Sequence, residues 1–307
     1  MLEESKYWEE NIRKRNGRKI KGYAIENIRK ERFHNVESSK YPFPNDKREC
    51  DRLLLQHLMW KNSWNGNFSA PVKNILANKE SKVLDVGCGP GIWTLDMATN
   101  FPEAHFAGVD FAPIQPNENN PENVTFIQAN ALEGLPFEDN TFDYVFQRFL
   151  IIGYPKDKWA FIINELVRVL KPGGYLEMME DDFEPGNMGF MTNKLVTPML
   201  EDLESNGLDT KICYKLQKNL EQNKMLKNIW SEQRIADSSS TDIGNMHVTN
   251  CMEQFQVLKV KISKLLNVTA NEFDKILDTI YEEFIEFNSF TLTKRAYAQK
   301  VEKILAC

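Results

Sequence analysis

The chain has 307 residues, 42% hydrophobic, 27% charged and 11% aromatic, with 38 Lys+Arg against 44 Asp+Glu and a net charge of −6. That length suits one large domain with elaborations. No apolar run approaches the roughly 20 residues needed to cross a bilayer, and the acidic balance argues against a surface that grips nucleic acid throughout.

Taken in order, residues 1 to 48 are polar, with a basic run at Arg13, Lys14, Arg15, Arg18, Lys19 and Lys21. It reads either as a solvated helix end balanced by Glu3, Glu4, Glu9 and Glu10 or as a nuclear localisation signal. The N-terminus opens acidic, without a secretory apolar segment. Tyr41-Pro-Phe-Pro-Asn-Asp46 forces extended backbone, and Asp46 with Glu49 suits the start of a helix over 47 to 60. From residue 81 the pattern becomes short apolar strands between loops and helices: strands at 82 to 86, 105 to 110, 124 to 128, 142 to 146 and 175 to 179, and a helix at Ile92 to Asn100. A further helix carries Trp159, Ile162, Ile163, Leu166, Val167 and Leu170 and stops at Lys171-Pro-Gly-Gly174. Such alternation predicts a mainly parallel sheet covered on both faces. After Glu180 the chain reads as helical, with strands near 225 to 235 and 290 to 297 and a helix opened by the capping box Thr269-x-x-Glu272. Five scattered cysteines (Cys50, Cys88, Cys213, Cys251, Cys307) suit neither a disulfide framework nor a zinc site, so we expect no metal and a reducing compartment, the cytoplasm with the nucleus as alternative.

The informative segment is Val83-Leu-Asp-Val-Gly-Cys-Gly-Pro-Gly-Ile-Trp93, a strand running into a glycine turn that opens a helix. Glycines at 87, 89 and 91 would let a ligand approach the backbone at the carboxyl edge of the sheet. Asp85, at the end of an apolar strand, needs donors or a ligand ammonium. Asp110 ends the next strand, where a carboxylate accepts ribose hydroxyls, and Asn130-Ala131 follows the third strand, where an adenine edge could be read. The third glycine comes one position early for the dinucleotide pattern G-x-G-x-x-G. A pyrophosphate gains from positive charge, and this turn shows an acid instead, which suits the cationic amino-acid head of S-adenosylmethionine.

These residues, with Gly108-Val-Asp110, Leu135-Pro-Phe-Glu-Asp-Asn-Thr-Phe-Asp143 and Glu165-Leu-Val-Arg-Val-Leu-Lys-Pro-Gly-Gly-Tyr-Leu-Glu177, resemble the ordered motifs of class I S-adenosylmethionine-dependent methyltransferases. The segments Tyr41 to Asp46, Arg52-Leu-x-x-Gln-His57, Ala70-Pro71 and Gly91-Ile-Trp93 are similar to the fungal group that includes the velvet-associated regulators of secondary metabolism. The resemblance implies a Rossmann-like α/β fold with a mainly parallel seven-stranded sheet. It implies that Asp85, Gly87 and Gly89 hold the methionine part of the donor, Asp110 the ribose, and Asn130 with Ala131 the adenine, within a wider cofactor set of Cys88, Gly91, Trp93, Phe111 and Gln147. Many relatives carry Asp where this chain has Asn130. Gln147 and Arg148 fall where relatives face the methyl or the substrate, so they are the catalytic candidates, with local hydrogen bonding as the other reading.

Three parts follow: an arm and lid at 1 to 70 with Tyr41 and His57 toward the substrate, a cofactor-binding core at 71 to 183, and a helical substrate-side region at 184 to 307 that adds the final strands. Substrate-side aromatic candidates are Tyr7, Trp8, Tyr41, Phe43, Phe183, Phe190 and Trp230. No general base is singled out among His34, His57, His105 and His247. The expected activity is methyl transfer from S-adenosylmethionine, leaving S-adenosylhomocysteine, to a small molecule or a protein side chain. The alternative is a donor-binding regulatory protein acting through protein partners, and neither a membrane nor a nucleic acid is expected as partner.

Overall fold

The computed structural model describes residues 47–116 and 120–302. The basic run at 13 to 21, Tyr41 and the Tyr41 to Asp46 segment lie outside these residues, as do Tyr7, Trp8, His34, Phe43 and Cys307.

Among the described residues helix α1 (Lys47–Ser63) comes first, followed by the short α2 (Lys73–Leu76) and then β1 (Lys82–Val86), α3 (Ile92–Asn100), β2 (His105–Asp110), β3 (Val124–Gln128) and β4 (Phe142–Arg148). Next come α4 (Trp159–Val169), β5 (Leu170–Asp181), α5 (Phe190–Ser205), α6 (Leu216–Glu221) and β6 (Leu226–Asp237), then α7 (Asp242–Val257), α8 (Lys259–Leu266), α9 (Ala270–Glu286) and β7 (Phe290–Lys300). The strands form one seven-stranded sheet in the order β3-β2-β1-β4-β5-β7-β6. The first five strands are parallel, while β7 runs antiparallel to β5 and to β6. The last two strands therefore extend the same sheet, with no separate sheet for the C-terminal region. The chain turns from one side of the sheet to the other between β1 and β4, and open α/β sheets bind ligands at that reversal, outside the carboxyl ends of the strands.

Alternating side chains of β1 account for the covering on both faces. Val83 packs with Trp93, Met97 and Ala98 of α3 on one face, while Leu84 and Val86 pack with Ile162, Ile163 and Leu166 of α4 on the other. Each fully buried apolar side chain of this kind contributes roughly 1.5–3 kcal/mol. Helix α1 sits over the carboxyl edge, where Met59, Trp60 and the following Trp64 pack with Met179 and Ala236. Helix α9 has the expected capping box at Thr269 and Glu272 and buries Phe273, Ile280 and Phe284, while Phe287, at its C-cap, is 46% exposed.

Several boundaries differ from the sequence reading. Strand β4 runs on to Arg148, so Gln147 and Arg148 are its last residues and do not follow it. Helix α4 ends at Val169, and Lys171-Pro-Gly-Gly174 belongs to the start of β5, where the register against β4 shifts between Phe142 and Tyr144. The prolyl and glycyl residues that read as a helix stop form this irregular entry: a Cβ on Gly174 would lie 2.7 Å from the Asp143 carbonyl oxygen. Glu49 accepts a two-pronged ion pair from Arg52, at 2.8 and 2.6 Å, while its expected capping partner Asp46 lies outside the described residues. No helix among the described residues is long and apolar enough to cross a membrane.

Candidate functional site

Register brings the carboxyl ends of three strands together, since Val86 pairs with Val109 of β2 and with Gln147 of β4. The turn after β1 is tied to β2 by the Gly87 and Cys88 N–H groups, which both donate to the Val109 carbonyl at 2.8 and 3.0 Å. Asp110 completes the tie by accepting from the Gly89 N–H at 2.8 Å and from the Ala112 N–H at 2.9 Å. The Phe111 N–H is a third backbone donor to this carboxyl, and a carboxylate accepts about four, so acceptor capacity remains for a ligand hydroxyl. Burial raises the Asp110 carboxyl above its ordinary value, opposed by these backbone donors.

A cavity of about 560 Å³ opens over this edge. Gly87, Cys88, Gly89, Asp110, Phe111, Asn130, Ala131 and Arg148 line one side of it, and Glu49, Leu53 and Gln56 of α1 close it from above. Leu203, Asn206 and Leu208, at the end of α5 and just beyond it, add a third wall with Ile152 and Tyr154. The three glycines of the turn divide by what a side chain would meet. A Cβ on Gly89 (φ +55°) meets nothing within 4 Å, because the cavity lies there. On Gly87 it would strike Leu150 at 2.6 Å, and on Gly91 it would strike the Phe126 ring at 2.4 Å. Gly91 is therefore demanded by packing and does not line the cavity.

Other expected site residues also lie behind the lining. Trp93 is 1% exposed, stacks on Phe146 at 4.1 Å and donates from Nε1 to the Asn67 carbonyl; it is core, and its place in the cofactor set is corrected. Asp85 is 3% exposed and accepts from the Thr94 hydroxyl at 2.7 Å, one layer below the glycine turn. Burial pushes its carboxyl up to about 6, against the opposing hydrogen bond of Thr94 and the positive charge of Arg148. The acid of the turn therefore has a basic neighbour, which arrives from the end of β4. Gln147 is fully buried, accepts from the Tyr154 hydroxyl at 3.4 Å through Oε1, and leaves Nε2 without a partner. Asn130 caps the short 3₁₀ turn after β3: its Oδ1 accepts from the Leu132 N–H at 3.1 Å and its Nδ2 donates to Glu133 at 2.9 Å. Local capping thus orients this amide. Cys88 lines the cavity as a neutral thiol, its pKa pushed well up by burial and by the nearby Asp85 and Asp110 charges.

His57 is 2% exposed and lies behind the lining, between Asp96 Oδ2 at 3.0 Å and Arg148 at 3.1 Å. Burial lowers its pKa to about 4. His247 is buried in the core, stacked on Phe284 and bonded to Thr291, with its pKa also lowered to about 4 by burial. Of the substrate-side aromatic candidates that are described, Phe183 packs on the core, Phe190 is 79% exposed and Trp230 stacks on Tyr297 at 5.0 Å. The aromatic side chains at the cavity are instead Phe111, Phe149 and Tyr154. Sequence reasoning missed the lining face of α1, although Glu49, Leu53 and Gln56 stand at the i, i+4, i+7 spacing of one helical face.

Residues 83–174 match the family model described as "Methyltransferase domain". The chain is 37% identical over 151 residues to "Methyltransferase pytC" of Aspergillus terreus, covering 48% of this chain and 44% of that protein. It is 30% identical over 197 residues to "Secondary metabolism regulator laeA" of Aspergillus niger, covering 63% and 47%, and 31% identical over 152 residues to "N-methyltransferase verN" of Clonostachys rogersoniana, covering 48% and 52%. The chain thus spans about half the length of the curated relatives it matches. The matched segment, residues 83–174, thus carries the glycine turn and the parallel strands β1 to β4 of the sheet, and over it the chain is similar to a methyltransferase domain.

Proposed function

We propose that this protein transfers a methyl group from S-adenosylmethionine to a nucleophilic atom of a small molecule. The observation that carries the reading is the open approach at Gly89 beside Asp110. The one turn position where a Cβ would point into free space is the one whose N–H is held by the strand-end carboxylate. A ligand carrying a nucleoside and an amino-acid end fits that arrangement. Asp110 has acceptor capacity left for a ribose hydroxyl, Asn130 and Ala131 border the adjoining wall, and Arg148 and the turn border the other end.

When bound, S-adenosylmethionine supplies an electrophilic methyl on a sulfonium: the acceptor's electron pair forms the new bond to carbon while the carbon–sulfur pair returns to sulfur. The chain's contribution is alignment and exclusion of water. The apolar rim of Leu53, Ile152, Leu203 and Leu208 would keep water from the acceptor, and α1 would close over it. His57 is committed to Asp96 and Arg148, so it does not serve as a base. The test is incubation of the purified protein with methyl-labelled donor and small-molecule extracts. Label in a low-mass product, abolished by Gly89→Val, supports the reading.

A second reading, a donor-binding regulator acting through partner proteins, is favoured by the similarity to the regulator of Aspergillus niger. Donor binding without turnover on any small molecule, together with donor-dependent capture of a protein partner, would favour it over the first.

A further inference from the structure

Arg148 ends β4 at the cavity wall, with its guanidinium carbon 5.7 Å from the centre of the Phe149 ring. It is a cation that burial makes slightly easier to deprotonate, with a pKa lowered to about 10, so it stays charged at neutral pH. A guanidinium has five N–H donors. Among the described residues its one hydrogen bond is to a neutral ring nitrogen, Nδ1 of His57, at 3.1 Å.

That bond settles the state of the histidine. A guanidinium only donates, so Nδ1 accepts and the ring proton resides on Nε2, from which it is donated to Asp96 Oδ2 at 3.0 Å. Asp96, midway along α3, also accepts from Lys61 at 2.6 Å and from Asn67 Nδ2 at 2.7 Å. Burial alone would raise its carboxyl, but the hydrogen bonds from His57, Lys61 and Asn67 outweigh that and hold it well below the usual range. Helix α1, through His57 and Lys61 one turn apart, is thereby clamped to α3, and the clamp ends on the arginine at the cavity wall. Arg148 is part-buried, and the carboxylates near it, Asp85 and Asp96, act on it through charge without a direct hydrogen bond, so its remaining N–H donors are open to an anionic group in the cavity. Asp85 acts on Arg148 only through its charge, one layer below the turn.

We propose that Arg148 is a carboxylate-binding residue of the cavity and that the His57–Asp96 pair positions its guanidinium; this rests on the methyl-donor reading of the same cavity. Arginine suits the task because its fork matches the two oxygens of a carboxylate. The anionic group has two chemical sources: the α-carboxylate of the donor's methionine end, and a carboxylate on the methyl acceptor. The nearness of Asp85 and Arg148 favours the first, because their opposite charges match the ammonium and carboxylate of one amino acid. His57 and Asp96 are positioning residues in this scheme, since they act through Arg148.

Calorimetry on the full chain tests this with two probe pairs. The first compares S-adenosylhomocysteine with its decarboxylated analogue. The second compares benzoate with benzamide in the presence of saturating S-adenosylhomocysteine. The wild type is expected to prefer the carboxylate in the first pair by about 10- to 100-fold, the span of a charge-assisted hydrogen bond, and Arg148→Met to lose that preference. An Arg148-dependent preference in the second pair alone would assign the group to the acceptor. His57→Gln, which can still accept from Arg148 and donate to Asp96, is expected to retain the preference, and His57→Leu to lose it. A wild type that binds both members of each pair equally, or an Arg148→Met variant that keeps the wild-type preference with an intact thermal transition, overturns the proposal. Arg148→Lys, which keeps charge without the fork, guards against a folding defect, and a partial preference is expected for it. Equal binding within both pairs refutes only the carboxylate subsite, whereas failure of the wild type to bind S-adenosylhomocysteine at all refutes the donor reading itself.

Discussion

Asp110 accepts the Gly89 backbone N–H at 2.8 Å, so the carboxylate that ends β2 holds the turn that ends β1. This makes Asp110 both a wall of the cavity and the brace of its floor. Asp110→Ala is expected to weaken S-adenosylhomocysteine binding by about 1–3 kcal/mol, since it removes a charged acceptor and frees the turn together. Asp110→Asn keeps one acceptor oxygen and is expected to fall between the two. Calorimetric titration of the three proteins checks the order, and an Ala variant with wild-type affinity would remove Asp110 from the site.

Gly89 and Gly91 both have positive φ, +55° and +78°, so an alanine at either carries a backbone cost of roughly 1–2 kcal/mol. They differ in what the new methyl meets: nothing within 4 Å at Gly89, the Phe126 ring at 2.4 Å at Gly91. Gly91→Ala is therefore expected to lower the thermal midpoint by more than Gly89→Ala does. Gly89→Ala is expected to lose more ligand affinity per degree of lost stability. Paired melting and binding measurements would show the two effects separating.

The carboxyl of Asp85 is raised by burial from 3.8 to about 6. The native state then holds this proton more tightly than the unfolded chain, so the group's contribution is most favourable at acid pH. It declines as pH rises from about 4 to 6 and stays at its lowest above that. Asp85→Asn, which cannot ionise and keeps an acceptor for Thr94, is expected to stabilise the ligand-free protein above pH 7 by up to about 3 kcal/mol. The advantage should vanish near pH 4. Thermal melts across pH 4–8 test this; a variant less stable than wild type at pH 7.5 would show that the ionised Asp85 is favourable where it stands.

Trp93 lies face to face with Phe146 at 4.1 Å in a core that also holds Tyr144 and Met97. Trp93→Ala is expected to cost about 3–5 kcal/mol of stability. Trp93→Phe, which retains the stack and loses the Nε1 bond to Asn67, is expected to cost less and to leave S-adenosylhomocysteine affinity near that of wild type. An affinity loss in a folded Trp93→Phe protein would return this residue to the cofactor wall.

The strand–turn–helix at 83–93 and the strand-end acid at 110 were legible because each depends on local chemistry: apolar runs, glycine at a tight turn, and a carboxylate closing a strand. The role of each glycine was not, because Gly91 answers to Phe126 on β3 and Gly87 to Leu150 after β4, contacts that exist only once the sheet is assembled. Arg148 was read as a candidate, but its link through His57 to Asp96 spans 91 and 39 residues of separation, which no spacing rule reaches. The helix stop at Lys171 to Gly174 was legible, since the helix ends at Val169, but the strand's early start was not: Leu170 already pairs with Phe142 of β4, a contact that no local rule shows. The lining face of α1 became evident only when the helix was seated over the sheet edge.

The central claim, that the cavity over Gly89 receives S-adenosylmethionine, is tested most directly by calorimetric titration of the purified chain with that compound, with Gly89→Val run in parallel. The account predicts saturable one-to-one binding by the wild type and none by a Gly89→Val protein that still shows a cooperative thermal transition. Absence of binding by the wild type at millimolar ligand, or equal affinity in the two proteins, would contradict it.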